Sequence, residues 1–471
     1  MELKKHLAIV LTLGAATAMA SPADTLNLSL DQCISIALSD NPTIRVADME
    51  IERMDYSKKE TLGQLLPTIS FDGQYSRTLA KQTMYMNMSG FGGGGGDSES
   101  EGESAQPETP SRASSGGGIK VGLDNSYSVG FNASMPLIAP QLWKTLKLSD
   151  SQILQSVEQA RQSRIQLVNQ VKNAYYTLLL AEDSYRVILE SYDMAKFTAD
   201  LYQKQFSLGA ASEYDVLRTQ VAVKNVEPEI TQATIAIKQA RLQLQILMGM
   251  STVQPIKPTT TLSDYESTMY GDVLSIDRSI DNNSELRMLD IQTRQLRDAL
   301  KVQQMAWYPT LALSANYNWT SMSNGSPLKN FRWNPYSMVG LTLSVPLFQG
   351  GQRYSRIKQA QIQVNEMKFQ RENLVRTINM QTDVAMENIQ MNIKQINSSA
   401  ESVKQAEKAH DIAQQSFEIG AATYLNLRDS ELALTQSRLA YYQAIYNFLV
   451  ARSDLELLLG NADLTNYPNS K

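Results

Sequence analysis

The 471-residue sequence predicts a mixed fold, in which the strands of a membrane β-barrel adjoin long coiled-coil helices. Three observations predict it. Residues 146–206 contain neither proline nor glycine, and two interleaved sets of positions recur every seventh residue. One set is Ile153, Ala160, Leu167, Ala174, Ala181, Ile188, Ala195 and Tyr202; the other is Val157, Arg164, Val171, Leu178, Tyr185, Tyr192, Ala199 and Phe206. This 4-3 spacing, broken only at Arg164, is that of a left-handed supercoiled helix of ~90 Å at about 1.5 Å per residue. Segments of strict apolar–polar alternation are the second observation, and a duplication of the whole programme is the third.

Bulk properties narrow the class. Lys4 and Lys5 precede the apolar run Leu7–Leu13, and Ala18-Met19-Ala20 reads as a cleavage site, so residues 1–20 are expected to be a signal peptide. A net charge of −5 disfavours nucleic acid as a partner, because tracking phosphates needs a positive surplus. Cys33 is the single cysteine, which excludes a disulfide framework and a thiolate metal cluster. After the signal no apolar run approaches ~20 residues, so membrane spans are expected only as β-strands.

The elements follow in order. Ser29 or Asp31 caps a first helix, and Asn41-Pro42 interrupts it before a longer helix to Leu62. Ile69, Phe71 and Tyr75 alternate with Ser70, Asp72, Gln74 and Ser76 as a strand. Residues 90–118, rich in Gly, Ser and Glu, cannot bury enough apolar surface to order and are expected as a flexible loop. Alternation resumes from Lys120 to Leu137 as one strand, ended by Pro136 and Pro140. The long helix then runs to Phe206, and Ser212 caps a return helix to Met248 that Pro228 should kink or divide. Residues 250–283 form a mixed connector with one short helix around 265–280. The hairpin of the second half places Leu311, Leu313, Ala315, Tyr317 and Trp319 opposite Val339, Leu341, Leu343, Val345 and Leu347, across a turn at 321–335. Gly350-Gly351 starts a long helix to Glu418, and Thr423 a last one to Leu459.

The halves match position by position. Asn41, Arg45 and Pro67-Thr68 recur 242 residues later as Asn283, Arg287 and Pro309-Thr310. Gly130 and Ser134-Met135-Pro136-Leu137 meet Gly340 and Ser344-Val345-Pro346-Leu347 at an offset of 210. Phe206, Gly209-Ala210-Ala211 and Leu247-Met248-Gly249 meet Phe417, Gly420-Ala421-Ala422 and Leu458-Leu459-Gly460 at 211. An ordered match along the chain implies a duplicated unit. Repeat one is expected over 21–249, with its hairpin at 65–137 and its helix pair at 142–248. Repeat two spans 284–460, with a hairpin at 308–348 and helices at 351–459, before a tail at 461–471. Two hairpins per chain leave four strands, too few to close a barrel, and open edges are not tolerated in a bilayer, so several chains must share one.

In these pieces, taken in this order, the chain resembles the TolC-type outer-membrane efflux proteins over essentially its whole mature length. The motifs are the glycine turns leading to Asp215-Val216-Leu217 and Asn426-Leu427, the Leu-Met-Gly and Leu-Leu-Gly helix ends, Leu66-Pro67-Thr68, and Val345-Pro346-Leu347-Phe348. The resemblance implies a homotrimer whose shared β-barrel, four strands per subunit, lies in outer-membrane lipid and continues into a periplasmic α-barrel. Residues 250–283 become an equatorial connector, and 90–118 an exterior loop. A periplasmic adaptor and an inner-membrane pump are the implied partners, in a tripartite efflux pump or type I secretion system for small molecules or polypeptide. A trimeric stalk or adhesin presenting the 90–118 loop is the alternative.

No catalytic constellation and no cofactor motif is present. His410, the only mature histidine, is expected on a solvated helix face. Met84, Met86 and Met88 suit either soft-metal capture or an ordinary strand face. The resemblance places Asp215, Asn426 and Asp429 near the periplasmic tip, with Asp429 and the position of Asn426 in inward rings at a closed iris. Its ionic lock joins Asp215's position to a basic residue and a tyrosine. Those places hold Ala422 and Phe417 here, so another contact is expected to close the tip. Phe206, Ser207, Leu208 and Gly209, with Phe417, Glu418, Ile419 and Gly420, are the implied adaptor-docking tips.

Overall fold

The structure, a computed structural model, describes residues 25–84, 119–252, 254–266, 278–324 and 332–461. The expected signal peptide, the 90–118 loop, Met86 and Met88, and nearly all of the tail lie outside the described residues. The chain divides into two compact units, one holding the strands of the hairpins and the other most of the helices.

The strand unit comprises Ser57–Ser149 and Asp298–Gln361. Its four-stranded antiparallel sheet has the order β2-β5-β7-β8, where β2 is Thr68–Arg77, β5 Asn125–Ile138, β7 Thr310–Ser323 and β8 Asn334–Ser344. The first hairpin is thus joined to the second through β5 and β7. Register keeps the apolar positions together: Phe71 faces Phe131, Phe131 faces Tyr317, and Leu313 faces Leu341. Ring centroids lie 5.0 Å apart for Phe71–Phe131 and 4.6 Å for Tyr317–Trp319. The alternate positions form a polar face, with Ser70 opposite Asn132 and Asn132 opposite Asn316. Gly130 belongs to this face, and a Cβ there would collide with Asn318.

Three expectations are corrected here. The stretch from 120 is not one strand: it breaks at Gly122, at φ 108°, into β4 (Ile119–Val121) and β5, and β4 pairs with β3 (Gln82–Met84). Pro136 does not end β5, which runs to Ile138 with a register shift between Pro136 and Ile138. Pro136 still pairs with Ala312 of β7, and the irregularity just after it is the kind of place where a strand accommodates a missing N–H. The second turn is narrower than 321–335, because β7 continues to Ser323 and β8 starts at Asn334. At the end of the sheet, Arg353 donates to the Pro346 carbonyl at 3.0 Å and lies 4.9 Å over the Trp307 ring, fixing the entry into the following helix.

The helical unit comprises residues up to Tyr56, Asp150–Arg297 and Ile362 onward. Ser29 and Gln32 exchange side-chain to backbone bonds in a capping box, so Ser29 rather than Asp31 starts α1 (Leu30–Asp40). Proline at the first position of α2 (Pro42–Gly63) suits its fixed φ. The long helices are α3 (Pro140–Ser207) and α6 (Gln352–Glu418), with return helices α4 (Glu213–Leu247) and α7 (Tyr424–Leu459); α5 is Ser284–Met305. Pro228 leaves α4 undivided, since a proline removes one N–H while the bonds on either side persist. The connector contains a parallel pairing of β1 (Leu26–Leu28) with β6 (Ile256–Pro258) and a short 3-10 turn at Leu262–Tyr265. Most of the helix expected at 265–280 lies outside the described residues.

One core gathers Val171, Tyr175 and Leu178 of α3, Leu244 of α4, Ile389 of α6, Phe448 and Leu455 of α7, and Cys33 and Ile34 of α1. Burial pushes the Cys33 thiol up to about 12. Arg164, the one break in the heptads, is buried and ion-paired to Asp48 at 2.5 Å. Two asparagines tie helix ends together. Asn41 donates to the Leu247 carbonyl at 2.7 Å and accepts from the Thr43 amide, while Asn283 donates to Leu458 at 2.6 Å and accepts from Leu286. Each therefore satisfies a last-turn carbonyl of one helix and a first-turn amide of another, α4 with α2 and α7 with α5.

Candidate functional site

The two turns joining the long helices to their return helices have the same construction. At the end of α3, Gly209 takes φ 72°, its amide donates to Phe206, and the Ala210 amide donates to Gln205 at 2.8 Å. At the end of α6, Gly420 takes φ 75°, its amide donates to Phe417, and the Ala421 amide donates to Ser416 at 2.7 Å. The left-handed glycine lets the chain fold back onto its own last carbonyls. Ala422 acts through its backbone, donating to the Ser416 carbonyl at 3.0 Å.

The return helices start on reciprocal caps. The Ser212 side-chain oxygen accepts from the Asp215 amide at 3.2 Å, and its hydroxyl donates to the Asp215 carboxylate at 2.6 Å. Thr423 and Asn426 repeat this, the hydroxyl reaching the Asn426 side-chain oxygen at 2.8 Å. Within the chain, Asp215 and Asn426 thus stabilise helix starts, where acceptors meet the unsatisfied amides and the positive end of the macrodipole. Asp429 is different: its side chain is exposed and has no hydrogen bond or ion pair among the described residues.

Between the turns lies a contact that the sequence reading lacked. Tyr202 of α3 sits 6.2 Å from the Phe417 ring of α6 and 5.7 Å from the Tyr424 ring of α7. Arg218 of α4 places its guanidinium 4.9 Å over Tyr424. One aromatic and cation–π cluster thus joins all four helices. Burial, then the nearby Asp215 charge, pushes the Tyr202 phenol up.

The tips themselves are open. Leu208 is 83% and Ile419 81% exposed, and Phe206 is exposed beside them. Ser207 donates back to the Lys204 carbonyl at 2.7 Å, and the Glu418 carboxylate accepts from Gln414 at 3.2 Å. Phe417 is half-buried, turned into the cluster rather than outward. His410 corrects an expectation: it is buried, because α7 packs on it and Ser430 lies 3.4 Å from its Nδ1. Among the described residues, no group of three or more His, Cys, Asp or Glu is placed to hold a metal ion, and no helix is long and apolar enough to cross a membrane.

Comparison with known proteins accords with this architecture. The family described as "Outer membrane efflux protein" matches residues 33–250 and 275–461. The cobalt-zinc-cadmium resistance protein CzcC of Cupriavidus metallidurans is 24% identical over 298 residues, 62% of this chain and 67% of that protein. The outer membrane protein TolC of Vibrio cholerae is 21% identical over 336 residues, 71% of this chain and 76% of its own. The crystal structure of the Campylobacter jejuni CmeC outer membrane channel superposes with a TM-score of 0.67 at 16% identity, over 94% of this chain and 87% of that one. The chain belongs to the outer membrane efflux protein family, the TolC-type channels of the Gram-negative outer membrane.

Proposed function

We propose that this chain is one protomer of a homotrimeric exit duct in the outer membrane, serving a tripartite efflux pump or a type I secretion system. The observation that carries this reading is the four-stranded sheet, with one apolar face, one polar face and two unpaired edges at β2 and β8. In hydrocarbon each unpaired backbone group costs several kcal/mol, so the edges need strands from further copies. Ile69, Phe71, Leu341 and Leu343, all exposed on the single chain, then face outer-membrane lipid, while Ser70, Asn132 and Asn316 line water. The 68-residue α3 follows β5 almost directly and, at about 1.5 Å per residue, reaches ~100 Å, enough for a wall through the periplasm. The two separate family matches agree with a duplicated unit that supplies two hairpins and two helix pairs.

The tips have two roles in this reading. Exposed Leu208 and Ile419 engage a periplasmic adaptor, which links the duct to an inner-membrane pump that supplies the energy. Asp429 lines the closed end as a carboxylate ring that attracts cations. The relatives' names cover metal resistance and protease secretion, a range that fits a duct whose cargo is chosen by its pump.

Purified protein in planar bilayers tests the duct: it is expected to migrate as a trimer and to give long-lived single-channel conductance. A monomer, or a trimer that never conducts, rejects the reading. For the ring, Asp429→Ala is expected to weaken cation block of the closed channel, and unchanged block would remove Asp429 from the gate.

A further inference from the structure

The duplication gives each repeat a short helix, α2 or α5, held to its own long helix through an equivalent aspartate. Asp48 of α2 pairs with Arg164 of α3, and Asp290 of α5 pairs with Arg371 of α6 at 2.8 Å. The second short helix also reaches back to the preceding repeat. Gln295 of α5 donates to the Ser151 carbonyl at 3.0 Å and to Gln155 Oε1 at 2.8 Å, and Arg161 of α3 donates to Ser284 at 3.1 Å. Ser284, Met288, Ile291 and Gln295 share one helical face, so α5 lays that face antiparallel along α3. Within one chain α2 has no preceding repeat to cover, and α6 has no following one to cover it.

Both faces left over in this way are bare. A separation of 242 residues maps Met288, Ile291 and Gln295 of α5 onto Val46, Met49 and Arg53 of α2. Met288 and Ile291 are half-buried, whereas Val46 and Met49 are each 65% exposed. Along the long helices the separation is 211, which sets buried Leu167 and Leu178 against buried Ile378 and Ile389. It maps Ser151, Gln155 and Glu158 onto Ile362, Glu366 and Phe369. Ser151 and Glu158 are buried, but Ile362 is 56% and Phe369 71% exposed. Large apolar side chains thus stand open in the second repeat where the first covers polar ones. The polar contact has a complement too, because Gln295 and Gln155 become an arginine and a glutamate. Glu366 is exposed and has no hydrogen bond or ion pair among the described residues. Arg53 holds Glu50 through Nε and Nη2, which leaves Nη1 unbonded among the described residues.

We propose that α2 of one copy docks antiparallel on α6 of the next, with Val46 and Met49 over Phe369 and Arg53 donating to Glu366 beside Ile362. The occupant is a second copy of this chain, since the duplication supplies both halves of the contact and their charges are opposite. The inference rests on the homotrimeric duct proposed above and deepens it by naming a contact in its helical part. The two patches differ, so the contact is head-to-tail and repeats around a ring until the last copy meets the first. The ion pair sets the register, because a slip of one residue turns either side chain by about 100° around its helix.

Cysteine cross-linking of the full chain in outer membranes tests the contact, with buried Cys33 present in every variant. Arg53→Cys combined with Glu366→Cys is expected to oxidise into covalent dimers and a closed ring, while either change alone gives neither. Arg53→Cys with Glu387→Cys is the control, since exposed Glu387 lies three heptads, about 32 Å, further along α6. Charge exchange supplies a second reading. Arg53→Glu is expected to speed dissociation of the assembly in detergent about two- to fivefold, and adding Glu366→Arg to restore most of the loss. A purely local role of Arg53 beside Glu50 gives no such rescue. An assembly that conducts but does not cross-link at 53 and 366, or cross-links equally at 53 and 387, overturns this interface and leaves the duct standing. Protein that never assembles rejects both.

Discussion

A left-handed glycine lies in the turn before each return helix and another just past its end, and the two behave differently. Gly249 and Gly460 at the core end have φ 69° and 69°, close to the 72° and 75° of Gly209 and Gly420 at the tip. Around the core pair the space is full: a Cβ on Gly249 would lie 2.7 Å from the Asp40 carbonyl oxygen, and one on Gly460 would overlap that of Asn282. Around the tip pair nothing lies within 4 Å. The same local geometry thus closes a packed anchor at one end and an open surface at the other. Backbone conformation alone does not distinguish them; only what surrounds the turn does.

Replacing the glycines should separate the two ends most sharply. Gly460→Ala adds steric overlap to the strained φ and is expected to cost roughly 2–6 kcal/mol, read as a large fall in thermal or denaturant midpoint. Gly420→Ala meets only the strain, about 1–2 kcal/mol, confined to faster hydrogen exchange around the tip. Equal losses at both positions would break the comparison. Next in size is Asn283→Ala, which orphans the Leu458 carbonyl and the Leu286 amide and should cost about 1–3 kcal/mol. Asn283→Asp keeps the acceptor alone and should recover part of that loss, whereas a null effect would dismiss the asparagine as an anchor.

Smaller effects belong to the tip. Arg218→Gln removes the cation above Tyr424 and is expected to cost about 0.5–1 kcal/mol, seen as faster amide exchange across 417–424 and longer open times in bilayers. Identical exchange would show that the aromatic rings hold the four helices unaided. Least of all, Glu431→Gln should stabilise the protein by under about 1 kcal/mol at neutral pH. Burial raises the Glu431 carboxyl above its ordinary 4.5, and the Arg428 charge opposes this only in part. The fold therefore favours the protonated form, and the cost of the charge is absent below about 4.5 and grows as pH rises through the raised value. The gain from glutamine should vanish in acid; a gain that persists there would point to another cause.

Much of this was legible in one dimension. Heptad spacing marked α3 through Val171, Tyr175's neighbour Ala174, and Leu178, because a helix repeats its buried face at a fixed short interval. Alternation marked β2, β7 and β8 for the same reason at a period of two. The turns were visible as Gly209 and Gly420, and their caps as Ser212 and Thr423, since each requirement is met within a few residues. Arg164 was visible only as a fault in the pattern, because its partner Asp48 lies on another helix.

What the sequence by itself determined is therefore local: the lengths of the helices, the two faces of the strands and the places where the chain turns back. Tertiary structure decided the sheet order β2-β5-β7-β8, the pairing of Asn41 and Asn283 with distant helix ends, and the meeting of Tyr202, Phe417, Tyr424 and Arg218. It also moved His410 from an expected solvated face to a buried position. The physical reason is the same throughout. Periodicity and capping are set by neighbours along the chain, whereas burial, charge balance and ring contacts are set by residues that only the packing of separate helices brings within reach.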